Sequence, residues 1–168
     1  MSSMPTPVKE VLSQFYTCEV TTVNREGQPI SWPSLPYYDE TTGNIYVTAS
    51  IAFPVKAFNA RRNPRVSLLY SDPTGTNLDG PPAVLVQGDA TVSEILDYSS
   101  PVVAALFRLT KQRQPDFRNF VSNRVMRRAF TWYLYQRLLI TVRPRRLLVW
   151  SESDFSALPT EIEVSHVE

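Results

Sequence analysis

The chain has 168 residues, of which 43% are hydrophobic, and its 17 basic residues nearly balance its 16 acidic ones. This length fits one domain with a sizeable core, and the near-neutral charge does not single out nucleic acid or a membrane as a partner. Cys18 is the only cysteine and His166 the only histidine. We therefore expect no intramolecular disulfide, no zinc site built from Cys and His, and no Ser-His-Asp or Cys-His catalytic centre in the body of the fold.

A short helix and a hairpin are predicted at the start of the chain. Val8 to Phe15 place their apolar side chains on one helical face. Cys18 to Val23 reads as a strand, in which Cys18 is more simply a buried small residue than a reactive thiol. Asn24 to Gln28 contains a glycine and is predicted to be the tight turn, so that Pro29 to Tyr38 becomes the return strand.

The return strand contains three prolines within ten residues, at positions 29, 33 and 36. Because a proline cannot donate a hydrogen bond to a sheet ladder, we expect an edge strand or a bulged strand. The prolines alone leave open whether they do more than protect an exposed sheet edge.

The strongest functional signal lies between Ile45 and Tyr70. Ile45 to Thr48 and Val66 to Tyr70 read as strands, and the short helix between them starts near Pro54 and ends at Asn63-Pro64. Free N–H groups at a helix start, with hydroxyls and cations nearby, suit an anion such as phosphate. A surface helix with ordinary solvated charges would have the same composition. The side chains gathered at this junction are Thr48, Ser50, Lys56, Arg61 and Arg62.

The remaining β-structure follows a loop from Ser71 to Pro82. A strand is predicted from Ala83 to Val92, and Gly88 inside it indicates a bulge or a close backbone approach. Leu138 to Trp150 is predicted to be the last strand pair, bent at its proline. Beyond Ser151 the chain is acidic, and we expect this tail to be ordered partly against a partner subunit or not at all.

The pattern changes to helical spacing from about Glu94 to Arg137. One helix is predicted from Pro101 to Leu109 and a second from about Gln114. Residues 99 to 137 hold eight basic residues against one acidic residue, which gives a net charge of +7. Three interpretations stay open: a solvated helix face paired with the acidic tail, a lid that attracts an anionic ligand, or a nucleic-acid surface.

The order of residues between Ile45 and Tyr70 resembles the pyridoxamine 5′-phosphate oxidase-like family of flavin and deazaflavin split barrels. In that family a strand ending in Thr or Ser is followed by a Ser-x-x-x-Lys-like helix, an Asn, paired basic residues and an Asn/Asp-Pro-Arg that leads into a strand. The matching elements here are Val47-Thr48-Ala49-Ser50, Lys56, Asn59, Arg61-Arg62 and Asn63-Pro64-Arg65. The resemblance extends from about Phe15 to Val92 and resumes from Leu138 to Trp150.

This resemblance implies a mainly β fold with α-helices. The expected architecture is a six-stranded antiparallel split β-barrel with flanking helices and a helical insertion before the last strands. We expect a single domain over residues 1–168, with the insertion at about 95–137 and the acidic C-terminal tail at about 151–168.

The resemblance also implies a flavin-dependent oxidoreductase that binds FMN at a homodimer interface and transfers hydride to or from a small substrate. It assigns no catalytic residue, and Tyr37, Tyr38 and Tyr70 are candidates by position only. The cofactor-binding residues that it implies are Trp32, Pro33, Ser34, Leu35, Val47, Thr48, Ala49, Ser50, Lys56, Arg61, Arg62 and Gln87.

Two alternatives to this function stay open. One is a reductase that uses the deazaflavin coenzyme F420, whose acidic tail would suit the +7 segment. The other is a flavin-binding or sensing module without turnover. No nucleic-acid or membrane partner is expected. The N-terminus lacks a signal-peptide pattern and no run approaches ~18 apolar residues, so we expect a cytoplasmic location.

Overall fold

The computed structural model describes residues 4–97, 99–114, 122–125 and 136–164. These parts of the chain form three α-helices and eight β-strands. The helices are α1 (Thr6–Gln14), α2 (Val55–Arg62) and α3 (Pro101–Arg113). The strands are β1 (Cys18–Val23), β2 (Pro29–Ser34), β3 (Tyr37–Asp39), β4 (Asn44–Ser50), β5 (Arg65–Tyr70), β6 (Ala83–Leu96), β7 (Arg137–Trp150) and β8 (Thr160–Glu163).

The strands form one antiparallel sheet. Seven of them run in the order β2-β1-β5-β6-β7-β4-β3, and β8 pairs with β7 outside this path. This confirms the predicted mainly β, antiparallel split barrel with flanking helices. The strands number more than the predicted six because the return strand is divided into β2 and β3, and because the tail contributes β8.

The core lies on the inner face of the sheet. In β1 and β5, buried residues such as Val20 and Leu68 alternate with partly exposed ones, as expected where only one face of a strand packs inward. Helix α1 covers this core with Val11 and Leu12, and Phe15 directly after the helix adds to the same cover; all three are at most 1% exposed. The apolar face predicted for the first helix is therefore confirmed.

The proline-rich segment lies at the edge of the sheet, as predicted. Strand β2 pairs only with β1, and β3 pairs only with β4 at the other end of the strand order. Leu35 and Pro36 connect the two strands. One edge of β2 is thus left without a strand partner, and the prolines explain why the sheet ends there.

The bulge predicted at Gly88 is present between β6 and β7. Gln87 pairs with Arg146 whereas Gly88 pairs with Pro144, so Arg145 is an extra residue on β7. A Cβ atom on Gly88 would overlap the backbone carbonyl of Arg143. The close backbone approach therefore requires glycine at this position. Strand β6 continues past the predicted end, because its pairing with β7 extends to Leu96.

The expectation for the acidic tail was wrong. Residues Thr160 to Glu163 form β8 and pair with β7 of the same chain, and the Glu161 carboxylate lies 3.4 Å from the Arg146 guanidinium. Strand β8 thus pairs within its own chain, because the outer edge of β7 offers unpaired backbone groups and a basic side chain.

Helix α3 begins at the predicted Pro101 and runs to Arg113, beyond the predicted Leu109. The Arg113 guanidinium donates two 2.9 Å hydrogen bonds, to the carbonyl oxygens of Phe15 and Ser13, and so ties the end of α3 to the end of α1. The predicted second helix from about Gln114 lies largely outside the described residues. Within the part of the chain that is described, no helix is long and apolar enough to cross a membrane.

Candidate functional site

The Ile45–Tyr70 stretch folds into the strand-helix-strand unit that its sequence predicts, and a cavity of about 330 Å³ opens where β4 leads into α2. Edge strand β2 forms its opposite wall. Six of the twelve predicted cofactor-binding residues line this cavity: Trp32, Pro33, Thr48, Ala49, Ser50 and Lys56. The structure therefore brings together half of the predicted site in one place.

Lys56 is the central charge of this cavity. Its Nζ atom donates a 2.7 Å hydrogen bond to Oγ of Ser34, a seventh predicted residue. Burial lowers the pKa of Lys56 to about 8, and the nearby positive charge of Arg137 acts in the same direction. Among the described residues no carboxylate lies within ion-pair distance of this ammonium group. A partly buried cation without a counter-charge is suited to receive an anion.

Hydroxyl and amide groups surround the ammonium group. Oγ of Ser50 accepts a 3.2 Å hydrogen bond from the Ala52 N–H, which leaves the hydroxyl proton of Ser50 available to a ligand. Helix α2 starts after Pro54 with no side-chain cap and no acidic residue in its first turn. The backbone N–H groups of that turn are uncapped, and free N–H groups at a helix N-terminus bind anions. They therefore favour an anionic ligand, as Lys56 does.

Arg137 lines the cavity, although it was predicted only as one of the basic residues of the insertion and not as a cofactor-binding residue. It is the first residue of β7, and it lies directly opposite Ser50 in the antiparallel register of β4 and β7. The sequence placed Arg137 at the end of the basic insertion, 87 positions from Ser50. Only the pairing of the closing strand with β4 could have revealed it.

Two apolar residues of the cavity were also missed, namely Phe53 and Val55. Their side chains are 70% and 52% exposed, and Phe58, one helical turn after Val55, is 46% exposed. Large apolar side chains concentrated on one surface typically mark a binding site for a ligand or another protein. In the sequence, this surface is marked only by an apolar residue on each side of Pro54. Apolar residues that pack into the core would give the same pattern.

Arg61 and Arg62, which were predicted to bind the cofactor, do not line the cavity around Lys56. Arg61 donates a 2.6 Å hydrogen bond to the carbonyl oxygen of Ser93 and lies 3.6 Å from the Glu94 carboxylate. Arg62 donates to Oδ1 of Asn59. Successive residues of an α-helix are rotated by about 100°, so positions 61 and 62 face away from position 56.

Three further predicted residues do not line the cavity. Val47 is completely buried in the core, because it alternates with Thr48 along β4. Leu35 lies in the connection between β2 and β3. Gln87 lines a different cavity, on the outer face of β6. Val47, Leu35 and Gln87 therefore lie outside the cavity around Lys56, and their predicted contact with a cofactor stays a prediction.

The three candidate tyrosines also lie outside the cavity around Lys56. Tyr37 stacks on Tyr46 with ring centroids 6.0 Å apart. The Tyr38 hydroxyl is 3.7 Å from Sδ of Met4. Tyr70 is fully buried, and burial raises its pKa well above the ordinary value, which keeps the phenol neutral. None of the three lines the cavity around Lys56.

Solved structures share this fold. General stress protein 26 from Bacillus anthracis aligns over 94% of this chain and 96% of its own, with a TM-score of 0.61 and 15% identity. A reductase described as an F420 reductase aligns over 86% and 98%, with a TM-score of 0.57 and 19% identity. A haem storage protein from Vibrio cholerae aligns over 85% and 92%, with a TM-score of 0.54 and 18% identity.

No curated protein matches the sequence significantly. The sequence model of one family does match, over residues 4–137, a range that contains β1 to β6 and all three helices. That range also contains every residue found around the cavity, from Trp32 to Arg137. The chain belongs to the pyridoxamine 5′-phosphate oxidase family.

Proposed function

We propose that this chain is a flavin-dependent oxidoreductase that binds FMN between two copies and transfers hydride to or from a small substrate. The observation that carries the proposal is Lys56, a partly buried cation with a hydroxyl partner and no carboxylate within reach among the described residues. Lys56 indicates a site for an anion, and membership of this family favours the phosphate group of a flavin as that anion.

The side chains around the cavity fit the phosphate of FMN. Lys56 and Arg137 would neutralise its charge, and the hydroxyls of Thr48 and Ser50 would donate hydrogen bonds to its oxygens. The first-turn amides of α2 would complete the shell. Trp32 and Pro33, on the unpaired edge of β2, would contact the ring.

A second copy of the chain would complete the site. The cavity in one chain, at about 330 Å³, is near the lower end of the ~300–1,000 Å³ range of ligand pockets. Phe53 and Val55 stand at its mouth with more than half of their surface exposed. Pairing two chains across this surface would cover both side chains and enclose the ring.

Bound FMN would supply a ring that accepts or donates a hydride. The chain's own residues would bind the phosphate, orient the ring along β2 and exclude water through the apolar side chains at the cavity mouth. No tyrosine candidate lies at the cavity, so the proposal assigns no proton transfer to a side chain.

Coenzyme F420 is the second candidate, favoured by the presence of two cations, Lys56 and Arg137, in one cavity and by the fold shared with an F420 reductase. The absorbance of the purified protein distinguishes the two. Two flavin bands, or saturable binding of added FMN, support the first proposal. A single deazaflavin band, or binding of added F420 without binding of FMN, contradicts it.

Turnover needs a separate measurement, because this fold serves both a reductase and a haem storage protein among the similar structures. We expect bound flavin to be reduced anaerobically by NAD(P)H and reoxidised by an added acceptor, with absorbance followed in both steps. A protein that binds FMN tightly while neither step occurs faster than with free FMN would be a flavin-binding module without turnover.

A further inference from the structure

A second cavity, of about 500 Å³, lies on the outer face of β1, β5 and β6. Thr21, Ser67 and Gln87 line it from three adjacent strands. Ser67 and Gln87 are direct cross-strand neighbours, and Thr21 pairs with Ser67 on its other side. None of the residues that line this cavity lines the one around Lys56. The two cavities are therefore separate candidate sites.

The β6–β7 bulge gives the outer cavity its charge. Along a regular strand, neighbouring residues point to opposite faces. Because Arg145 is the extra residue of the bulge, both Arg145 and Arg146 are exposed and both line the cavity. Gly88, which allows the bulge, also contributes to the wall. Bulges commonly redirect side chains at binding sites.

Cations outnumber anions in this cavity. Arg145 pairs with Asp89, and Arg146 lies 3.4 Å from Glu161 of β8. Arg65 is the third guanidinium group of the wall, and no carboxylate of the described residues lies within ion-pair distance of it. Its cross-strand neighbour Asp89 is already engaged by Arg145. One guanidinium group is therefore available to a ligand.

We propose that the outer cavity is a second anion site, for a small molecule that carries a phosphate monoester. Arg65 supplies two parallel N–H donors that match phosphate oxygens. The hydroxyl of Ser67 and the amide of Gln87 provide further donors beside it. Val23, which is only half-buried, gives the wall an apolar side chain that suits the organic group of an ester better than free phosphate.

Calorimetry with inorganic phosphate and with phenyl phosphate, against chloride at matched ionic strength, tests the proposal on the full chain. We expect both phosphates to bind saturably, with phenyl phosphate tighter by about threefold or more because its ring also contacts Val23. Arg65→Gln should weaken phenyl phosphate binding at least tenfold, since it removes a charge-assisted contact. Arg108→Gln removes an exposed charge on α3 and should leave the dissociation constant within twofold.

Lys56→Met separates the two cavities, because an anion in the cofactor cavity would depend on Lys56 and an anion in the outer cavity would not. Unchanged phenyl phosphate binding in this variant supports the outer site. The proposal is overturned if Lys56→Met abolishes the binding, if Arg65→Gln behaves like Arg108→Gln, or if chloride and phosphate give the same response.

Discussion

Nζ of Lys56 lies 2.7 Å from Oγ of Ser34, and this hydrogen bond joins the first turn of α2 to the end of edge strand β2. The contact holds an ammonium group in a partly buried position where the described residues offer it a hydroxyl but no carboxylate. A buried ammonium group without a counter-charge destabilises the ligand-free protein, but it attracts an anionic ligand. The first two predictions follow from these two opposite effects.

The affinity for an anionic cofactor should fall as the pH rises through the pKa of Lys56. That pKa is about 8 without ligand, because burial disfavours the charged form. A bound phosphate stabilises the ammonium form, so only protonated Lys56 contributes fully to binding. We expect the dissociation constant of FMN to increase about tenfold between pH 7 and pH 9. Fluorescence titrations at several pH values measure it, and a Lys56→Met variant should show no such dependence.

Lys56→Met should stabilise the cofactor-free protein. The pKa of Lys56 is about 8 in the folded chain and 10.5 for an ordinary solvated lysine, so the unfolded chain binds more protons between these pH values. Wild-type stability attributable to Lys56 therefore rises from pH 8 to pH 10.5, and below pH 8 the buried charge opposes folding. We expect a gain on the order of 1 kcal/mol at pH 7 in urea unfolding. A less stable variant would show that the ammonium group is better solvated than the geometry indicates.

Asn59 should be required for the placement of α2 on β1. It is 2% exposed, its Nδ2 donates a 3.2 Å hydrogen bond to Oγ1 of the fully buried Thr22, and its Oδ1 accepts from Arg62. Asn59→Ala leaves the buried hydroxyl without this partner, which costs about 1–3 kcal/mol. Asn77→Ala, in the exposed loop before β6, is the control and should change stability by less than ~0.5 kcal/mol.

A double-mutant cycle with Thr22→Val gives a stricter test of the same contact. The coupling between positions 22 and 59 should be about 0.5–3 kcal/mol, as found for residues in direct contact. Additive losses would mean that Asn59 acts through packing alone.

Gly88→Ala should destabilise the sheet at the bulge. The added Cβ would overlap the backbone carbonyl of Arg143 on β7. Neither atom can be moved by rotating a side chain, so the backbone itself would have to shift. Overpacking of this kind costs typically 1–3 kcal/mol. Urea unfolding measures the loss, and a variant as stable as the wild type would show that β6 and β7 can separate at this point without penalty.

The sequence was sufficient to predict much of the fold, because strong local signals agreed with the tertiary structure. Asn63-Pro64 ends α2 as expected, since a proline disfavours the helical conformation of the residue before it. Gly88 marked the bulge, and the prolines of β2 marked an edge. The strand in the tail was missed because its alternation is very short: Ile162 and Val164 are the only apolar residues that alternate with its glutamates.

The residues around the cavity could be grouped from the sequence only where residues close together in the chain also face the same cavity. Thr48, Ser50 and Lys56 meet because one strand leads directly into one helix. Arg62 was grouped with them by sequence distance, although helical rotation directs it to Asn59. Arg137 reaches the site through the pairing of β4 with β7, a long-range register that no local pattern encodes.

The most direct test of the central claim compares the FMN affinity of Lys56→Ala with that of Arg62→Ala. The two variants each remove one cation from the same helix, but only Lys56 lines the cavity. Losing a hydrogen bond to a charged group costs about 1.5–3 kcal/mol, so Lys56→Ala should weaken FMN binding at least tenfold. Arg62→Ala should stay within about threefold of the wild type. Equal affinities of Lys56→Ala and the wild type, or a larger loss in Arg62→Ala, would contradict the placement of the phosphate at Lys56.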